Sequence, residues 1–137
     1  MTKHLRLLML ALMVALTSTI FANNEKITFS EKGLTNGTQY KKIVGTDITC
    51  YFGDGSNDGK YYNTGRGIRV YGNGYMKVST SKGTISKIVI TYSGEKAPKG
   101  TADYKVDGGS YNYSTKTWTG EATSVKLTNT GSCIALN

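Results

Sequence analysis

From residue 26 onward, apolar and polar residues alternate in short runs, and glycine, asparagine or aspartate separates one run from the next. In "DITCYF" (47–52) every second residue, Ile48, Cys50 and Phe52, is apolar, so an extended chain presents one face to a core and the other to water. The same period-2 pattern predicts strands at "KITFS" (26–30), "GIRVY" (67–71), "YMKVST" (75–80), "ISKIVITY" (85–92), "ADYKV" (102–106), "SYNYS" (110–114), "ATSVKLT" (122–128) and "SCIAL" (132–136). No stretch of this region has the spacing of an amphipathic helix of useful length. Eight to nine short strands with glycine-rich turns specify an all-β fold, an antiparallel β-sandwich or jelly roll.

The first residues break this pattern. Lys3, His4 and Arg6 precede an apolar run from Leu7 to Phe21, which ends at Ala22 before two asparagines. That is the layout of a secretory signal peptide cleaved after Ala22, with residues 23–137 left as one domain. The run is shorter than the ~20 residues of a spanning helix, and nothing later could cross a membrane as a helix. The expected location is outside the cytoplasm: periplasmic, cell-surface or extracellular.

Export changes the reading of the chemistry. His4, the single histidine, leaves with the leader, so a mature chain has no histidine-based triad, cysteine–histidine dyad or histidine-ligated zinc site. The two cysteines, Cys50 and Cys133, enter an oxidising compartment where a disulfide between them is one of two open outcomes. Alternation turns Cys50 inward and Cys133 outward. Losing Lys3 and Arg6 lowers the formal charge of +8 by two, and the remaining lysines are scattered, with one doublet at Lys41–Lys42. A nucleic-acid arm would be clustered, so the positive balance points to a basic surface and an anionic cell-surface polymer before nucleic acid.

The stretch "GDGSNDGKYYNTGRGIRVYGNG" (53–74) holds the densest candidate chemistry. Asp54, Ser56 and Asp58 fall at positions 1, 3 and 5 of a calcium loop with Gly59 at position 6, but the closing bidentate glutamate is replaced by Gly65. These three are weak calcium candidates, and a plain turn explains the same residues. Past the loop, a three-residue Gly72–Asn73–Gly74 turn would pair Val70 with Met76 and Ile68 with Val78 on one apolar face. That hairpin puts Arg69 opposite Lys77 and Tyr71 opposite Tyr75 on the outer face. Exposed tyrosine and tryptophan stack on sugar rings, which adds Tyr61, Tyr62, Arg66 and Trp118 to Arg69, Tyr71, Tyr75 and Lys77 as ligand-binding candidates. The carboxylate pairs Asp54/Asp58 and Asp103/Asp107 could in principle serve as acid and base of a glycosidase, although both sit beside glycine-rich turns where aspartate is common for turn geometry alone.

Several blocks together resemble a known kind of module. "ITFSEKG", "KYYNTGRGIRVYGNG", "GTISKIVITYS" and "TWTGEATSVKLTNTGS" look like successive blocks of small secreted β-sandwich modules in the surface and exported proteins of Bacteroidetes. The resemblance spans about residues 27 to 132 and includes Tyr61, Tyr62, Gly65, Arg69, Tyr71, Ile85, Lys87, Ile88, Trp118, Thr119, Gly120 and Val125. It implies a jelly-roll-like fold, export, and a non-enzymatic carbohydrate-binding or adhesive role with no assigned active site; no cofactor is expected, with calcium the weak candidate named above. Such modules continue past "GSCIAL" into a further strand, so the expectation here is either a strand edge left open to a partner or a truncated copy of the module. The leading expectation is a secreted, non-catalytic module for glycan or cell-surface material. The alternatives are an envelope or assembly protein pairing through that edge and, third, a small carboxylate-dependent hydrolase.

Overall fold

The computed structural model describes residues 23–53, 55, 57–93 and 104–137. The leader at 1–22, Asp54, Ser56 and Asp103 lie outside them. Eleven strands run through the described residues: β1 (Lys42–Val44), β2 (Ile48–Gly53), β3 (Lys60–Tyr62), β4 (Gly67–Val70), β5 (Tyr75–Thr80), β6 (Ile85–Val89), β7 (Tyr104–Val106), β8 (Ser110–Asn112), β9 (Thr117–Ala122), β10 (Ser124–Asn129) and β11 (Ile134–Leu136). They form three antiparallel sheets, ordered β1-β2-β5-β10-β7, β11-β4-β3 and β6-β9-β8. The fold is all-β and sandwich-like, as the alternation predicts.

Two of the sheets are joined along one edge. Beyond β6 the chain continues extended, and Tyr92 bridges to Leu136 while Ser93 N–H donates to Ala135 O (2.8 Å) and Asn137 N–H to Thr91 O (3.0 Å). The sheet β6-β9-β8 is thereby continued by β11-β4-β3, and the free edge of β11 is covered by the chain itself. The open edge expected after "SCIAL" is therefore closed.

Burial follows the period of two. Met76 and Val78 of β5, Val125 and Leu127 of β10, and Cys50 and Phe52 of β2 all point into the core. Ile68 and Val70 of β4, Ile134 and Leu136 of β11, Tyr61 of β3 and Trp118 of β9 meet them from the other sheets. Each fully buried aliphatic side chain contributes roughly 1.5–3 kcal/mol, which gives this interleaved set most of the driving force for the fold.

The expected strand at 26–30 is instead a 3-10 turn at Phe29–Glu31, closed by Glu31 N–H to Thr28 O (3.0 Å) and Lys32 N–H to Phe29 O (3.2 Å). Its alternation of Ile27 and Phe29 serves as an apolar anchor, with Phe29 edge-on to Phe52 at 5.7 Å. Glu25 holds this segment down. Its carboxylate accepts N–H bonds from Thr46, Asp47 (2.9 Å) and Ile48 (2.9 Å). Burial pushes the Glu25 pKa up, but these three amides outweigh it and leave the group below its ordinary value of 4.5. A lowered carboxylate pKa adds stability that is complete above the ordinary value and disappears as the pH falls through the folded one. Glu25→Ala is expected to cost about 1 kcal/mol at neutral pH. Urea melts should show the difference between the two proteins shrinking once the pH falls below the ordinary 4.5 and vanishing only below the lowered folded value, where the wild-type carboxyl is protonated too.

The larger correction concerns the hairpin proposed between residues 67–71 and 75–80. β4 and β5 do not pair: β4 lies between β11 and β3, and β5 lies between β2 and β10. The inward residues are those expected, but they face the core from different sheets. The actual hairpin is β3–β4, closed over Asn63–Arg66 by Arg66 N–H to Asn63 O (3.1 Å), with Arg66 in the left-handed region at φ 47°. Residues 71–74 carry the chain from one sheet to the other.

Two fully buried polar side chains hold that crossing. Asp58 accepts Tyr71 N–H (2.7 Å) on one oxygen and Gly55 N–H (2.8 Å) on the other. Asn129 donates to Val70 O (3.1 Å) and Ser132 O (2.6 Å) and accepts from Gly131 N–H (3.0 Å). Its backbone pairs with Asn73 and Gly74 at 2.8 Å each. A tight Asn–Gly turn that would otherwise suit a hairpin is thus fixed as a corner.

Candidate functional site

The outer face of the five-stranded sheet is set by register. Lys42 is opposite Tyr51, Tyr51 opposite Lys77, and Lys77 opposite Lys126, one row across β1, β2, β5 and β10. The next row runs Gly53, Tyr75, Thr128, Lys105 across β2, β5, β10 and β7. On the other side of the first row lie Val44, Thr49, Ser79 and Ser124, with the Ser79 and Ser124 hydroxyls 3.0 Å apart. Four lysines therefore share a face on which no outward strand position is aspartate, glutamate or arginine.

Two of those lysines are pinned. Lys77 Nζ lies 4.8 Å from the centre of the Tyr51 ring and Lys126 Nζ 4.2 Å from that of Tyr75. Cation–π contact contributes about 0.5–1 kcal/mol at exposed sites, enough to hold an ammonium over its ring. Lys77 and Lys126 are nonetheless like charges directly opposite, an arrangement that destabilises a sheet. Neither forms an ion pair among the described residues, whereas Lys82 Nζ does so with Asp47 Oδ1 at 2.8 Å.

The expected site residues divide between two outer faces. Tyr75 and Lys77 are on the face just described. Arg69 projects from the outer face of β4, opposite Lys60, with its guanidinium 4.8 Å above the Tyr62 ring. Tyr71 stands beside this pair: its pKa is raised first by burial and then by neighbouring Cys133 and Tyr62, while Arg69 acts the other way. Arg69, Tyr62 and Tyr71 are thus together, but apart from Tyr75 and Lys77, because β4 and β5 belong to different sheets. Arg66 sits at the hairpin tip beside a shallow polar pocket of about 480 Å³ with Ser30, Glu31, Tyr61 and Asn63.

Two candidates are withdrawn into the core. Tyr61 is 5% exposed and Trp118 1%, so neither ring can stack on an external sugar. Other tyrosines also have structural roles. The Tyr92 and Tyr111 hydroxyls are 3.2 Å apart, Tyr113 donates to Tyr104 O (3.0 Å), and Tyr111 meets the Tyr104 and Tyr113 rings edge-on at 5.3 and 5.1 Å. Burial, followed by the neighbouring Tyr104 and Tyr111, pushes the Tyr92 pKa far up.

The carboxylates and thiols fit a structural part. Asp58, the described member of the calcium candidates, is closed to solvent, and both of its oxygens accept backbone amides. It can neither ligate an exposed ion nor act as acid or base on an external substrate. Asp107 belongs to a different turn, between β7 and β8. No cluster of three metal-ligating side chains occurs among the described residues. A cleft of about 1390 Å³ opens between residues 23–29 and β6, with Phe29, Ile48, Ile85 and Ile88 among its walls. Two of its carboxylates are engaged, Glu25 by amides and Asp47 by Lys82. Cys50 and Cys133 are both free thiols, so the disulfide left open by the sequence is not formed here. Burial, with a smaller contribution from Glu25, pushes the Cys50 thiol up to about 12 and keeps it protonated and inert.

Sequence reasoning missed Tyr51, Lys126, Lys42 and Lys105. The facing of Tyr51 and Lys126 is readable from alternation with Cys50, Phe52, Val125 and Leu127. Their convergence on Lys77 is not, because it depends on long-range strand pairing. Among the described residues no helix is long and apolar enough to cross a membrane. No protein-family model, curated protein or solved structure matches the chain, so the functional reading rests on the geometry of its two outer faces.

Proposed function

We propose that the chain is a secreted, non-catalytic binding module that takes up glycan or other cell-surface material on the outer face of its five-stranded sheet. The observation that carries this reading is the direct opposition of Lys77 and Lys126, in line with Lys42 and with no carboxylate at an outward position of the described strands. An uncompensated like-charge pair costs a sheet stability, and an external anion removes the cost. The leader-like residues 1–22 support export.

This arrangement makes binding and stability respond differently. Lys77→Glu gives up the contact with Tyr51, about 0.5–1 kcal/mol, but turns a repulsion into an attraction to Lys126, so stability should be held or raised by up to about 0.5 kcal/mol. The same change should weaken adsorption to bacterial envelope polysaccharide several-fold. Thermal melts and a binding isotherm on one preparation test both. A variant that loses stability, or binds unchanged, would remove the basis of the proposal.

The reading as an assembly protein keeps one observation in its favour. With the β11 edge covered, the five-stranded sheet still ends at β1, whose Val44 is 57% exposed. Pairing there predicts concentration-dependent association, and sedimentation showing monomers across a hundredfold range of concentration would exclude it.

A further inference from the structure

We infer that the ligand of this face is a linear anionic polysaccharide, held across the strands by lysine ammonium groups that meet carboxylate or sulfate groups, with no sugar stacked on a ring. The inference rests on the binding role proposed above and deepens it to a class of ligand.

The row Lys42, Tyr51, Lys77, Lys126 crosses three gaps between neighbouring strands, about 14 Å at the usual ~4.8 Å per gap. A single small anion would use one or two of these lysines. A polymer lying across the sheet reaches the whole row, and Lys105 extends the positive surface one row further along. Because the outward positions are on neighbouring strands of one sheet, the surface is broad and shallow, which suits an extended chain better than a compact ligand.

The aromatic rings indicate how that chain is recognised. Tyr51 and Tyr75 would serve best as stacking platforms if their faces were free, and each ring has an ammonium over one face. The rings instead fix the positions of Lys77 and Lys126, whose remaining N–H groups can turn to an incoming anion. Thr49, Ser79, Ser124 and Thr128 line the rows on either side with hydroxyls that match those of a sugar. Single-stranded nucleic acid binds sheets mainly through free aromatic faces. Occupied rings and the lack of arginine on this face favour polysaccharide.

The test uses the purified protein with four probes: polygalacturonate, a sulfated glycan such as chondroitin sulfate, uncharged dextran, and single-stranded DNA of matched charge. The expected result is binding to one or both acidic glycans, weakening steeply as salt rises. Lys77→Gln with Lys126→Gln should weaken it about tenfold, while Lys60→Gln, which removes one positive charge from the other outer face, leaves it unchanged. Tyr51→Leu should cost less than Lys77→Gln; the reverse order would mean that the ring itself carries recognition. Equal binding to dextran would overturn the anionic assignment and leave the binding role standing. Tighter binding to DNA than to either acidic glycan would overturn the polysaccharide assignment. Binding to none of the four and to no envelope fraction would overturn both.

Discussion

Replacing Asp58 with alanine is expected to destabilise the protein by about 4 kcal/mol, at roughly 2 kcal/mol for each charge-assisted bond to a buried amide. The carboxylate is fully buried, and the amides it receives, Gly55 and Tyr71, belong to different turns. In the alanine variant both amides lose their partner inside the protein. Asp58→Asn keeps one acceptor but presents NH₂ to the second amide, so about half the loss should remain. Gly74 provides an internal check. A Cβ at that position would collide with the Asp58 carboxylate, so Gly74→Ala should be strongly destabilising alone and nearly neutral in the Asp58→Ala background. Urea unfolding of the two single variants and the double variant gives the coupling. Additive losses would mean that Asp58 does not pack against the crossing as described.

That crossing also shows where the sequence is legible and where it is not. Strand β5 is readable to the residue, because Tyr75, Lys77 and Ser79 alternate with Met76 and Val78 and no glycine interrupts them. Ile68, Val70, Met76 and Val78 all face inward as the alternation requires. What alternation cannot supply is the neighbour. Val78 lies between Cys50 and Val125, residues far away along the chain, and the turn at 72–74 becomes a corner only through Asp58 and Asn129. Two short strands, β1 and β3, are lost for a related reason. β1 is three residues long, and β3 falls within a stretch rich in glycine and asparagine whose adjacent tyrosines point to opposite sides.

The candidate site divides along the same line. Facing is local and was readable: Arg69, Tyr71, Tyr75 and Lys77 all lie off the core. Convergence is non-local, and strand pairing replaces Arg69 with Lys126 as the cation opposite Lys77. Tyr61 and Trp118 read as ligand candidates because aromatic side chains serve both core and sugar stacking, and of the adjacent Tyr61 and Tyr62 only one can face inward. Their burial is decided by which strands pair around them.

Trp118 gives the second large effect. Trp118→Ala should cost about 4 kcal/mol, within the range for emptying a buried aromatic site. The indole lies in a slot between two glycines: a Cβ on Gly120 would be 2.6 Å from Cζ2, and one on Gly109 would be 2.5 Å from Nε1. Its N–H donates to Gly108 O at 3.1 Å. Gly120 looks like a turn residue, and it hid strand β9 from a pattern-based reading; its place in the strand is explained by the ring it admits. Gly120→Ala is therefore expected to act like overpacking, at about 1–3 kcal/mol, by displacing the ring or the strand. Trp118 is the single tryptophan, so its fluorescence reports directly on the slot. The wild type should emit at short wavelength and resist acrylamide quenching, and Gly120→Ala should shift the emission red and open it to quencher while the protein is still folded. An unchanged spectrum with an unchanged melting temperature would show that the slot has room to spare, and Gly120 would then need a different reason for its place in the strand.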